Sequence, residues 1–136
     1  MQDSVVVCKN FVEWLKGNGF KVIHFDERDN ECLIDFVQPG FPSRIRPLGV
    51  YASSIIIDKK RSVVTEANYN RVFAGKKDFF EFYIPKECGE EDNICRVHID
   101  FDITERGERI GRAGFLVGAD MNIERAKEFI IGFFLV

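Results

Sequence analysis

Residues 94–104 read ICRVHIDFDIT, and the parity of this stretch decides the fold. Cys95, Val97, Ile99, Phe101 and Ile103 fall on one parity, and Arg96, His98, Asp100, Asp102 and Thr104 on the other. Side chains on a strand alternate between its two faces. The stretch therefore predicts a strand with one dry face and one wet, chargeable face, as in an antiparallel sheet covered on one side only.

Working outward, Phe79–Pro85 predicts a partner strand, with Phe80, Phe82 and Ile84 on one face and Phe79, Glu81 and Tyr83 on the other. The connection Lys86–Asn93 between the two is acidic, with Glu87, Glu90, Glu91 and Asp92. Residues 105–118, ERGERIGRAGFLVG, space Arg106, Arg109 and Arg112 among Gly107, Gly111, Gly114 and Gly118. They read as a flexible basic loop or an edge-pairing connection. Upstream, Phe20–Phe25 and Glu31–Val37 form one expected hairpin, and Val50–Ile57 and Ser62–Asn68 a second. Tyr69–Asp78 reads as a short helical turn or a loop. Gln38–Gly49 holds three of the four prolines, so it is a loop or an edge, because proline cannot donate to a sheet ladder. Its Arg44 and Arg46, near Phe41 and Ile45, form a candidate contact surface.

Each end of the chain carries a helical pattern. Val7, Phe11, Val12, Trp14 and Leu15 recur at helical spacing in 4–16, with Ser4 or Asp3 as N-cap and Gly17 and Gly19 as the stop. At the other end Asn122 is the expected N-cap of a helix from about Ile123, with an apolar stripe of Ala126, Phe129, Ile130, Phe133 and Phe134. Phe133–Val136 also fits a short terminal strand. The expected fold is α+β. It is an antiparallel meander of about five to seven strands, with the N-terminal and C-terminal helices packed on one face, forming a single domain over 1–136.

Composition narrows the function. An apolar share of 46% and a charged share of 30% describe a globular domain. Fourteen phenylalanines predict either a Phe-rich core or a Phe-lined ligand cavity. With 22 acidic and 19 basic residues, the net charge of −3 argues against nucleic acid as the main partner and suits a basic protein. No apolar run is long enough to span a membrane. The opening MQDSVVVCKN lacks the pattern of an export signal, which predicts a cytoplasmic chain with free thiols at Cys8, Cys32, Cys88 and Cys95. Cys88 and Cys95 flank a hairpin loop and are the pair placed to oxidise. No CxxC supports a zinc site.

The best chemical candidate is His98-x-Asp100-x-Asp102, three ionisable groups on one strand face within reach of one metal ion. Such groups activate water in divalent-metal hydrolases, and Glu81 would stand beside them. His24 reads as a structural histidine. Cys95 and His98 have opposite parity, so they do not form a Cys–His nucleophile. Neither nucleotide-binding fingerprint nor a GxSxG elbow occurs. The leading expectation is a non-enzymatic protein-binding module without a cofactor, such as an immunity or inhibitor protein that neutralises a toxin or enzyme. Glu87, Glu90, Glu91, Asp92, Asp100 and Asp102 are its candidate contacts with a basic partner. The alternatives are a metal-dependent hydrolase using His98, Asp100 and Asp102, and a small-molecule binder with a Phe-lined cavity.

Overall fold

A computed structural model describes residues 6–41, 51–74, 88, 95–103, 107, 109–118 and 120–135. Helix α1 (Val7–Gly17) leads into strands β1 (Lys21–Glu27), β2 (Glu31–Val37), β3 (Ser53–Asp58) and β4 (Val63–Ala74). Strands β5 (Cys95–Ile103), β6 (Arg109–Val117) and the short β7 (Met121–Asn122) follow, and helix α2 (Ile123–Phe134) closes the fold. The strands form one antiparallel sheet in the order β1-β2-β3-β4-β6-β5, with β7 paired to β4. The first four strands meander. The β5–β6 hairpin then returns with β6 against β4, which leaves β5 as the outer strand among those described.

Both helices pack on one face, as the alternation predicts. Helix α1 ends in a left-handed turn at Gly19 (φ 88°), where the amides of Phe20 and Gly19 donate to the carbonyls of Leu15 and Lys16, each at 3.0 Å. That double bond needs the positive φ that glycine adopts without strain, and it brings Phe20 onto Leu15 in the core. Helix α2 starts where Asn122 Oδ1 accepts the Arg125 amide at 2.8 Å, with Glu124 at the positive end of the helix dipole.

Between helices and sheet the phenylalanines pack on one another. Phe115 stands edge-on to Phe129 and Phe133, with centroids 5.7 and 5.2 Å away, and Phe129 stacks on Phe133 at 5.7 Å. These rings are buried in the core. Each buried ring stabilises the fold by about 1.5–3 kcal/mol.

Several expectations are corrected. All four cysteines are paired: Cys8–Cys32 ties α1 to β2, and Cys88 is bonded to Cys95. The expected free thiols were inferred from the opening residues lacking an export-signal pattern, which says nothing about Cys8 facing Cys32 across the core. Residues 69–74 continue β4 as strand, and 109–117 form the regular strand β6 instead of a flexible basic loop. His24 is exposed, because a bulge between Val22 and His24 reverses the parity of β1.

The apolar side of β5 is only partly covered. Val97 and Ile99 stand opposite Phe115 and Ala113 on the helix side, yet Val97 and Phe101 are each 47% exposed and Ile103 is 71% exposed. Six strands spaced about 4.8 Å apart span about 24 Å, whereas two helices cover about 20 Å. Phe79–Pro85 with Glu81 and Tyr83, the acids Glu87, Glu90, Glu91 and Asp92, and Arg44, Ile45, Arg46 and Arg106 lie outside the described residues.

Candidate functional site

The face turned away from the helices holds a groove of about 540 Å³, within the size range of small-molecule and side-chain pockets. Every main strand contributes to it, from Ile23 on β1 to His98 and Asp100 on β5. Two cross-strand rows organise its floor. Asp35, Ser54 and Asn68 stand side by side on β2, β3 and β4, and Asn68 faces Leu116 on β6. One step along, Asn70 on β4 faces Gly114 on β6, and Gly114 faces His98 on β5.

His98 lies across β6 because residue 114 has no side chain. A Cβ there would overlap the imidazole and come within 2.5 Å of the Tyr69 carbonyl oxygen. The ring thus reaches Asn70, two strands away, and Nε2 sits 2.9 Å from Asn70 Oδ1. The orientation of the Asn70 amide follows from its other bonds. Its Nδ2 donates to the Ala52 carbonyl at 2.8 Å, and its backbone N–H donates to Ser53 Oγ at 2.9 Å. Oδ1 is therefore the acceptor, His98 Nε2 carries the proton, and neutral His98 presents Nδ1 as an acceptor.

Burial holds the His98 pKa below its ordinary value. The Arg112 guanidinium adds to that shift and Asp100 partly offsets it. Asp100 pairs with Arg112 across the β5–β6 ladder, and the hydrogen bond from Arg112 pulls its carboxyl below the usual range. At one end of the groove, Tyr51 closes over Val72 and Ile110, with Phe41 against it. Gln38 ties the chain there by donating to the Val72 carbonyl at 3.2 Å and accepting the Val72 amide. Phe41 and Tyr51, the described residues on either side of 42–50, thus both lie on the groove side.

The structure brings together two of the residues singled out for chemistry, His98 and Asp100. Asp102 follows them on β5, but its side chain lies outside the described residues. Among the described residues no cluster of three His, Cys, Asp or Glu side chains is placed to hold a metal ion. Sequence reading missed Asp35, Asn68, Asn70 and Arg112 as parts of one site. The signal for the asparagines was present: in 67–70 the polar Asn68 and Asn70 alternate with Ala67 and Tyr69. No helix among the described residues is long and apolar enough to cross a membrane. Compared with protein-family models, curated proteins and solved structures, the chain matches none.

Proposed function

We propose that this protein is a non-enzymatic module that binds another protein on the uncovered face of its sheet, as an inhibitor or immunity protein that neutralises a toxin or enzyme would. The observation that carries this reading is the groove itself. It is concave and open; Asp35, Ser54, Asn68, Asn70 and Arg112 stand on strands paired on both sides, and His98 and Asp100 on β5, paired with β6. A site on rigid strands presents its contacts without an ordering cost on binding. Two of the three groups of the hydrolase alternative have partners within the groove. His98 Nε2 is bonded to Asn70 and Asp100 is paired with Arg112, an arrangement suited to fixed recognition.

The cysteines bear on the site of action. A domain whose four thiols are all paired suits an oxidising compartment better than the cytoplasm expected from sequence. Alkylation and mass spectrometry of the protein from its native cells read this directly: two blocked pairs place it there, and four alkylated thiols return it to the cytoplasm.

Site-specific photo-crosslinking in the native host tests the binding face. A crosslinker replacing Leu116 on the groove floor is expected to capture a discrete protein, and one replacing the exposed Glu13 on α1 is not. Capture from Glu13 alone, or from neither position, would overturn the reading.

A further inference from the structure

We infer that the middle of the groove is a subsite for one arginine side chain of the partner, which rests on the binding reading above. Asp35 and Asn68 carry the argument. Asp35 is a half-buried carboxylate on an interior strand, and it makes no side-chain hydrogen bond or ion pair among the described residues. Its cross-strand neighbour on β1, His24, is exposed. Asn68 Oδ1 is buried and has no hydrogen-bond partner among the described residues. A buried acceptor left unsatisfied costs about 1–3 kcal/mol, which a ligand's donor recovers once the Asn68 amide turns toward the groove.

The two acceptors flank Ser54 in one row, with the Asp35 and Asn68 backbones two strand spacings apart, about 9.5 Å. Ser54 is small and offers a third oxygen, so a flat group can lie over it and donate to either side. A guanidinium has five donors in a planar fork and remains charged, whereas an ammonium is a compact point charge that reaches one side. Ile23 and Leu116 bracket the row and supply apolar walls for the methylene stem. The other cation in the groove, Arg112, is directed at Asp100. An arginine placed in the row therefore meets Asp35 without direct competition for that carboxylate.

The test is an NMR titration of the full chain with N-acetyl-arginine-N-methylamide, using the lysine and citrulline counterparts as controls. The arginine compound is expected to bind saturably in the millimolar range, with the largest shifts at residues 35, 54 and 68. Citrulline, its neutral counterpart, should bind at least about fivefold more weakly, since it lacks the charge that strengthens hydrogen bonds to a carboxylate. Asp35→Asn should weaken arginine binding by a similar factor, and Asn68→Asp should tighten it. Equal binding of citrulline or of lysine, or arginine binding indifferent to both substitutions, would overturn the subsite. If the Leu116 crosslink persists while the arginine compound fails, the subsite falls and the binding face stands. Loss of the crosslink removes the binding face itself.

Discussion

On the helix side of the sheet, Ile34, Ile55, Tyr69 and Phe115 are buried. One residue away on the same four strands, Asp35, Ser54, Asn68 and Leu116 look into the open groove. Backbone and ladder bonds are shared, so the contrast comes entirely from what each parity touches. The covered side is close-packed and apolar, and changes of volume there are felt in full. The groove side carries polar atoms on an open face, and it holds them in place through specific bonds such as Asn70 to His98.

The largest break in this contrast should come from the covered side. Phe129→Ala removes a fully buried ring packed against Tyr69, Phe115 and Phe133. It should cost about 3–5 kcal/mol in denaturant unfolding under non-reducing conditions.

Gly114→Ala strains both the groove side and the sheet backbone, since the added methyl meets the His98 ring and the Tyr69 carbonyl. It should cost about 1–3 kcal/mol. It should also push the imidazole into solvent and return its pKa, read by NMR titration, towards 6.5. The sign of the linked pH effect follows. Native His98 has a depressed pKa, so the unfolded chain binds more protons below 6.5. This contribution to stability is complete above pH 6.5 and is lost as the pH falls through the native value. The Gly114→Ala variant should show a smaller loss over that window.

Tyr69→Phe sharpens the contrast from the opposite direction. The Tyr69 hydroxyl is a polar atom on the covered side with no hydrogen-bond partner among the described residues, and burial pushes its pKa far up. Removing it should stabilise the fold by about 1 kcal/mol, because an unsatisfied buried group is eliminated. Asp100→Asn should have the smallest effect, within about 0.5 kcal/mol, because the carboxylate is largely exposed. Its signature would appear at His98 instead: loss of the neighbouring negative charge should lower that pKa further.

The legibility of the fold followed the strength of local pattern. The strand at 95–103, both helices, the Asn122 cap and the first hairpin are read from local period and end signals, but the expected Ser4 or Asp3 cap is not found: α1 starts after Val6 with no side-chain cap bond. β6 was hidden because glycines and arginines at 109–114 mimic a loop. In the sheet, Gly114 makes room for a neighbouring ring and Arg112 pairs across the ladder. The late part of β4 was hidden because Asn70 and Arg71 have weak strand preference. Their side chains are satisfied by distant groups, Asn70 by Ala52 and His98, and Arg71 by the Phe133 carbonyl at 2.7 Å.

By itself the sequence determined the α+β class, the alternation that separates a dry from a wet sheet face, and the helices that cover the dry one. These are consequences of side-chain period and of caps within a few residues, so they need no knowledge of distant contacts. Tertiary structure decided which strands are neighbours, that Cys8 meets Cys32, and that Asp35, Ser54 and Asn68 stand in one row. It also decided that two helices leave part of β5 uncovered. Strand order and register join residues tens of positions apart, and nothing in a residue's immediate neighbours encodes them.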